Sequence, residues 1–186
     1  NIIMLTCDAF GLMPPVARLS VDQAVFHFLT GYTAKVAGTE QGVKEPQATF
    51  SPCFGAPFMA LPPVVYADLL RKKVEKHQAV CWLVNTGWSG KPAGEAPRIR
   101  ISHSRAIVKA ILKDAMEEVE YHTDPVFGLR TPNHVEGVPP EILNPGSASG
   151  HEAAYDQRAR KLAADFEENF EPFRDHVPEG VVRSMP

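Results

Sequence analysis

The sequence predicts an α/β protein in which helices pack on a mixed sheet. Two short apolar runs rich in β-branched residues, 2–7 and 80–84, are typical of central strands buried on both faces. The second run follows a helical pattern, and a helix followed by a buried strand is half of a β-α-β unit. With 186 residues, 44% of them hydrophobic and 22% charged, the chain is long and apolar enough for one domain with a core.

After the first strand, the chain is predicted to form one helix and two irregular segments. Ser20 and Gln23 form an S-x-x-Q capping box, which predicts a helix that ends near Gly31. The apolar face of this helix consists of Ala24, Val25, Phe28 and Leu29. The polar residues 38–47 are predicted to form a loop. The aromatic but proline-broken residues 50–58 are predicted to form irregular, partly buried backbone.

The middle of the chain is predicted to contain two further helices. A Pro-Pro pair at 62–63 favours a helix start, and the apolar stripe that follows consists of Val65, Leu69, Leu70 and Val74. Residues 85–97 form a glycine-rich loop after the second strand. Residues 98–101 alternate Arg-Ile-Arg-Ile, which predicts a short half-exposed strand. Ser104 is then predicted to cap a helix whose inward face consists of Ala106, Ile107, Ala110 and Ile111.

The last third of the chain combines an irregular segment with a regular helix. Residues 121–150 are rich in proline, glycine and asparagine and are predicted to wrap over a surface as a long tethered segment. A final helix is predicted from apolar residues that recur at intervals of three and four: Tyr155, Ala159, Leu162, Ala163, Phe166 and Phe170. The chain begins within a predicted strand, so we expect residues 1–186 to be the carboxyl-terminal part of a longer protein.

Charge and composition exclude several classes of function. The formal net charge of −3 provides no basic field for capturing a nucleic-acid backbone. The sequence shows neither a signal peptide nor an apolar run near the ~20 residues of a membrane span. Three cysteines in apolar surroundings fit reduced thiols better than a disulfide framework or a zinc site. We therefore expect a cytoplasmic protein that binds neither nucleic acid nor membrane.

Several residues could carry chemistry, and two interpretations of each stay open. The loop 85–91 fails the phosphate-loop pattern, because only two residues separate its glycines, so a flexible surface loop is favoured over a substrate-facing one. Asp8 is favoured as a turn former over a metal or substrate ligand. Cys7 and Cys53 have no basic partner nearby in sequence, which favours buried thiols over nucleophiles. The seven histidines show no metal-ligand spacing and are expected mostly at the surface.

Residues 98–105, with the sequence RIRISHSR, form a candidate ligand edge. Two arginines alternate with isoleucines, and a hydroxyl follows at the predicted helix start. A guanidinium can stack on a planar ring while backbone groups and a hydroxyl form hydrogen bonds with it. From composition alone, an edge strand with solvated arginines is favoured, so these residues by themselves indicate only an α/β piece with a ligand edge.

Seven segments of the sequence occur in the same order along the chain as in one protein family. They are LTCDAFGLMPPVARL (5–19), HFLTGYTAKVAGTE (27–40), EPQATFSPCFGAPF (45–58), WLVNTGWSG (82–90), RIRISHSRAI (98–107), FGL (127–129) and GVPPEILNP (137–145). In this order the chain resembles the ATP-dependent phosphoenolpyruvate carboxykinases, to about residue 173. Each segment is weak alone, but seven in order are specific. The resemblance implies part of the family's carboxyl-terminal nucleotide-binding domain, which is a mixed α/β structure.

The resemblance also implies a reaction and a set of contacts. The intact protein would be a lyase of gluconeogenesis that converts oxaloacetate and ATP to phosphoenolpyruvate, ADP and carbon dioxide, using magnesium and manganese ions. Arg98 and Ile99 would contact the nucleotide. Ser104 would supply a hydrogen-bonding hydroxyl where the family usually has threonine.

The resemblance further implies that the catalytic groups lie elsewhere. The family's phosphate loop, metal ligands and substrate-binding arginines would all lie upstream of Asn1, so we expect no catalytic and no metal-binding residue in this chain. The piece would then be inactive alone and would pack against the missing upstream part. The alternative is a non-catalytic binding or interaction module that keeps the fold, although a start within a strand argues against it.

Overall fold

Five strands of the described chain form a main sheet of mixed polarity. The computed structural model describes residues 1–35, 46–150 and 153–186. The strands are β1 (Ile2–Thr6), β2 (Val16–Leu19), β3 (Tyr32–Lys35), β4 (Gln47–Phe50), β5 (Cys81–Asn85), β6 (Tyr121–Thr123) and β7 (Arg130–Pro132). The main sheet has the order β1-β5-β2-β7-β6, in which only β1 and β5 are parallel, while β3 and β4 form a separate antiparallel pair. The predicted α/β class with a mixed sheet is confirmed.

Helices cover both faces of the sheet. They are α1 (Val21–Thr30), α2 (Pro63–His77), α3 (Ile101–Leu112), α4 (Pro140–Leu143), α5 (Pro145–Ala148), α6 (Ala153–Phe170) and α7 (Glu179–Val182). Short 3-10 turns occupy Pro52–Phe54, Ala56–Phe58 and Glu171–His176. The first two turns confirm the irregular backbone predicted around residues 50–58, although Phe50 itself belongs to β4.

Helix α1 begins and ends where the sequence predicts. The Ser20 hydroxyl accepts the N–H of Gln23 at 3.1 Å, and the Gln23 side chain accepts the N–H of Ser20 at 3.0 Å, which completes the capping box. Gly31 ends the helix with a left-handed conformation (φ 54°). A Cβ there would lie 1.8 Å from the Ser51 carbonyl oxygen, so only glycine allows this close approach.

Each face of the sheet carries its own hydrophobic cluster because β5 alternates between them. Cys81 and Leu83 join the larger cluster, which includes α1 and α6, whereas Trp82 and Val84 join a second cluster with Ile107 and Ile111 of α3. All five residues of β5 are buried, which confirms a central strand. In α6 the predicted face is confirmed for Tyr155, Ala159, Leu162, Phe166 and Phe170, while Ala163 is only half-buried.

Strand β1 is an edge strand, not the central strand that its apolar run predicts. It pairs with β5 on one side, and only its carboxyl end meets β3, where the Ala34 N–H donates to the Cys7 carbonyl at 2.8 Å. Leu5 is 59% exposed. An apolar run indicates which residues avoid water. How many strands lie beside β1 depends instead on pairing with distant segments.

Three other segments differ from their predictions or lie outside the described residues. Helix α2 turns Ala67, Leu70 and Val74 toward the core, so Val65 and Leu69 of the predicted stripe are 39% and 49% exposed. Residues 121–150 do not only wrap over a surface, because β6 and β7 extend the main sheet. Most of the loop predicted at 38–47 lies outside the described residues, and Gln47 belongs to β4.

His27 is buried, contrary to the expectation that the histidines lie mostly at the surface. Its ring packs edge-on against the rings of Phe26 and Phe166, with centroid distances of 5.3 and 5.9 Å. Burial lowers the pKa of His27 to about 4, because the apolar surroundings penalise the charged imidazolium.

This depressed pKa predicts that acid destabilises the fold through His27. The unfolded state takes up a proton below about pH 6.5, whereas the folded state does so only near pH 4, so the free energy of unfolding falls as the pH drops through this window. Between about pH 7 and about pH 5, the free energy of unfolding should fall by about 2 kcal/mol less in His27→Leu than in the parent. Urea unfolding at each pH measures this loss. The exposed His77→Leu should keep the parent's pH dependence; an unchanged pH dependence in His27→Leu would contradict the prediction.

Candidate functional site

A groove of about 810 Å³ opens beside the carboxyl end of β1 and the loop after β5, and it runs along the whole length of α3. Arg98, Ile99 and Ser104, the three residues for which the family resemblance implies ligand contacts, all line it. Ligands of open α/β sheets bind outside the carboxyl ends of the strands. The groove lies at that end of the parallel pair β1 and β5.

The chemistry of the groove combines apolar walls with positive charge. Its apolar lining residues are Leu5, Ile99, Ile101, Val108 and Leu112, and its cations are Arg98, Arg105, Lys109 and Lys113. No carboxylate of the described residues lines it. The hydroxyls of Thr86 and Ser104 add hydrogen-bonding capacity. This composition suits an anionic ligand that also carries a flat apolar group.

Residues 98–101 do not form the strand that their alternation predicts. The Ile99 N–H donates to the Gly87 carbonyl at 2.8 Å, and Arg98 Nε donates to the Thr86 carbonyl at 2.7 Å. The segment therefore bonds to the loop after β5, and α3 begins at Ile101. Polar and apolar residues also alternate in irregular backbone when one side of it packs against a neighbouring loop, as residues 98–101 do here.

Arg98 is held in place from several directions. Besides the bond to the Thr86 carbonyl, its Nη2 lies 3.4 Å from Thr86 Oγ1 and 3.5 Å from Cys7 Sγ. The guanidinium carbon lies over the Trp88 ring, 5.6 Å from its centroid. The residue is nevertheless exposed on the groove side, so its position is fixed while it stays accessible to a ligand.

Ser104 does not cap α3. The N-cap is Arg100, and Ser104 is the fourth residue of the helix, with its N–H bonded to the Arg100 carbonyl at 3.2 Å. Among the described residues, no hydrogen bond uses the Ser104 hydroxyl. The half-buried side chain faces the groove instead, one turn beyond Ile99.

Asn85, which sequence reasoning did not single out by itself, joins the loops that surround the groove. Its Oδ1 accepts the N–H groups of Asp8 and Gly87 at 2.9 and 2.8 Å, and its Nδ2 donates to the carbonyls of Met13 and Trp88 at 2.8 Å each. All four hydrogen-bonding positions of the amide are thus used. The favoured interpretation of 85–91 as a flexible surface loop is wrong at its first residue, which is fully buried.

Asp8 is a turn former, as the favoured interpretation states. The carboxylate is fully buried and accepts the N–H groups of Phe10, Leu12 and Met13 at 2.9, 2.5 and 2.8 Å, and the Tyr32 hydroxyl at 2.8 Å. Burial raises the pKa of the Asp8 carboxyl, and these donors oppose the rise. With its oxygens committed to the protein, Asp8 closes the turn after β1.

The cysteines are free thiols without a nucleophilic setting. Cys53 and Cys81 are buried, and Cys7 is half-buried. Burial raises the pKa of the Cys7 thiol, and the nearby Arg98 guanidinium opposes the rise. Arg98 is a basic partner that sequence proximity could not reveal, because 91 positions separate the two residues.

Two features are absent from the described residues. In the ranges 1–35, 46–150 and 153–186, no three His, Cys, Asp or Glu side chains come together as metal ligands. Within the same ranges, no helix combines the length and the apolar character that crossing a membrane requires.

The fold and the groove define an α/β protein with a candidate ligand groove beside its parallel strands. A family model described as phosphoenolpyruvate carboxykinase matches residues 1–141 of the chain. A protein of Pelobacter propionicus named phosphoenolpyruvate carboxykinase (ATP) is 53% identical over 185 residues, which cover 100% of this chain and 35% of the relative. The proteins of the same name from Geotalea uraniireducens and Geobacter sp. strain M21 are 55% and 56% identical, over 97% and 94% of this chain and 34% and 33% of the relatives.

These matches establish the family. The chain belongs to the phosphoenolpyruvate carboxykinase family, and the family resemblance stated from the seven segments is confirmed. The chain spans about a third of the length of the curated relatives it matches.

The four hydrogen bonds of Asn85 predict a large loss of stability in Asn85→Asp. The aspartate keeps the shape but replaces the Nδ2 donor by an oxygen that faces the Met13 and Trp88 carbonyls, so buried acceptors are left unpaired. We expect the free energy of unfolding to fall by about 2–4 kcal/mol, measured by urea unfolding.

Asn144→Asp is the matched control. The Asn144 side chain accepts the Ser147 N–H at the start of α5, and an aspartate oxygen accepts it equally well, so the change should stay within about 0.5 kcal/mol. Equal losses in the two variants would show that the Nδ2 bonds of Asn85 contribute little.

Proposed function

We propose that this chain supplies the adenine and ribose side of the ATP site in a phosphoenolpyruvate carboxykinase that converts oxaloacetate and ATP to phosphoenolpyruvate, ADP and carbon dioxide. Family membership supports the reaction, and one structural observation supports the role of this part. Arg98, Ile99 and Ser104, which belong to the candidate ligand edge 98–105 and which the family resemblance names, line one groove.

Each of the three residues offers a different interaction to a nucleotide. The exposed face of the Arg98 guanidinium can stack on a purine ring. The Ile99 N–H is already bonded to Gly87, but no backbone hydrogen bond of the described residues uses the Ile99 carbonyl, which can accept from an exocyclic amino group. The Ser104 hydroxyl can donate or accept on the same side of the groove.

Phosphate and metal chemistry would belong to another part of the protein. Phosphoryl transfer depends mainly on positioning the reactants and neutralising their charge. Magnesium and manganese, which the family resemblance implies, find no matching set of side chains among the residues that the structure describes. The contribution of this chain is therefore to bind and orient the base.

The remainder of the full-length polypeptide would pack against β1 and the outer end of the groove. Leu5, Ile101 and Leu112 are 59%, 71% and 68% exposed, which is unusual for large apolar side chains at one place. In the parallel pairing with β5, the peptide groups of Ile3 and Leu5 point away from β5 and can accept a further strand. In the full-length enzyme we expect both features to be covered.

Replacement of Arg98 tests the nucleotide role. In the full-length enzyme, Arg98→Ala should raise the Kd of ATP about tenfold or more, because the stacking partner and its charge are lost. The KM of oxaloacetate should change less than about twofold, because the substrate would bind elsewhere. Calorimetric titration of ATP and steady-state kinetics measure the two effects.

Arg160→Ala is a matched control, since Arg160 is an exposed arginine on α6 outside the groove. It should leave both constants at the parent values. An unchanged Kd of ATP in Arg98→Ala would refute the assignment. A full-length protein that lacks turnover and ATP binding altogether would favour the non-catalytic module.

Replacement of Ser104 separates a ligand contact from a structural role. Because Ser104 lies inside α3 and does not cap it, Ser104→Ala should leave the melting temperature within a degree or so of the parent's, roughly 0.3 kcal/mol or less. The Kd of ATP should rise about three- to tenfold through loss of one hydrogen bond, and Ser104→Thr should keep the parent affinity. A lower melting temperature with unchanged affinity would assign Ser104 to the helix alone.

A further inference from the structure

Trp88 lies behind Arg98 and outside the groove. Arg98 lines the groove, whereas Trp88 is absent from its walls, and the Arg98 guanidinium carbon lies over the Trp88 ring, 5.6 Å from its centroid. A cation over an indole face is attracted by the ring quadrupole, most strongly where water is partly excluded. Trp88 is half-buried, which meets that condition.

Trp88 is held by hydrogen bonds at both its indole nitrogen and its backbone. Its Nε1–H donates to the Ala96 carbonyl at 2.9 Å, its backbone N–H donates to the Asp8 carbonyl at 2.8 Å, and its carbonyl accepts from Asn85 Nδ2 at 2.8 Å. Its ring also packs in a small cluster with Ala9 and Ala34. The indole is therefore a rigid surface and not a side chain free to follow Arg98.

The other contacts of Arg98 restrain one edge of the guanidinium only. The bond from Nε to the Thr86 carbonyl at 2.7 Å is short, but the contacts of Nη2 to Thr86 Oγ1 and Cys7 Sγ are long, at 3.4 and 3.5 Å. A side chain held along one edge can still swing its plane. The fixed Trp88 ring, which the guanidinium carbon overlies and which does not line the groove, limits that movement.

We propose that Trp88 is a positioning residue of the nucleotide site: its indole holds the plane of the Arg98 guanidinium so that the opposite face meets a purine ring. Trp88 does not touch the ligand and acts only through Arg98. The inference rests on the proposed function, because it assigns to Arg98 the role of stacking on the base. A guanidinium that is ordered before the ligand arrives loses less conformational freedom on binding.

A double-mutant cycle in the full-length enzyme tests this coupling. Trp88→Leu should raise the Kd of ATP about fivefold in the parent background, measured by calorimetric titration, and less than about twofold in the Arg98→Ala background. Trp88→Phe retains a ring face and should restore the affinity to within about twofold of the parent. The KM of oxaloacetate should stay at the parent value in all variants.

Trp82→Phe is the control for loss of a tryptophan elsewhere. Trp82 lies in β5, its ring centroid is 6.0 Å from the Arg18 guanidinium carbon, and it does not line the groove. Its replacement should therefore leave the Kd of ATP unchanged, even if the melting temperature falls. If Trp88→Leu does not fold, the same cycle with Trp88→Phe should show a smaller loss that disappears in the Arg98→Ala background.

The outcomes separate this inference from the function on which it rests. Equal effects of Trp88→Leu in both backgrounds, or no effect in the parent, would overturn the positioning role while leaving Arg98 as a nucleotide contact. No measurable ATP binding by the parent enzyme, or an Arg98→Ala variant with parent affinity, would overturn the proposed function itself.

Discussion

The structure depends on buried hydrogen bonds between two loops at the carboxyl ends of β1 and β5. Asp8 closes the turn after β1 by accepting three of its N–H groups and also accepts the Tyr32 hydroxyl. Asn85 ties that turn to the loop after β5 through two hydrogen bonds to each. The loops approach so closely that a Cβ on Gly87 would lie 2.1 Å from the Asp8 carbonyl oxygen. Because buried polar groups are costly when unpaired, this network permits one arrangement of the two loops.

That arrangement positions the groove. With Gly87 and Thr86 fixed, their carbonyls accept Ile99 and Arg98, and the chain is then aligned to begin α3 at Ile101. Rigid backbone beneath an exposed side chain is what a binding site requires, since a ligand then orders few additional groups. The same chain of contacts explains why a loop without a phosphate-binding pattern borders the candidate nucleotide site.

The unpaired edge of β1 and the exposed apolar side chains agree with a chain that spans only about a third of the length of its relatives. A strand edge with unpaired peptide groups and three exposed apolar side chains beside one groove would favour aggregation in an isolated domain. The chain spans about a third of the length of its relatives, and these features agree with the proposal that the remainder of a longer polypeptide packs against them. Binding of the base and handling of the phosphates would then be divided between parts of one polypeptide.

Local patterns were sufficient where the signal itself lies in neighbouring residues, even though the contacts that each element makes are distant. The capping box of α1, the buried face of α6 and the apolar run of β5 were all predictable, because each depends on residues a few positions apart. The resemblance also named Arg98, Ile99 and Ser104. Only the tertiary structure decided the edge position of β1, the burial of His27 and the irregular backbone at 98–101. Each results from pairing or packing with distant segments, as Arg98 beside Cys7 does, and such contacts leave no periodic signal in the sequence.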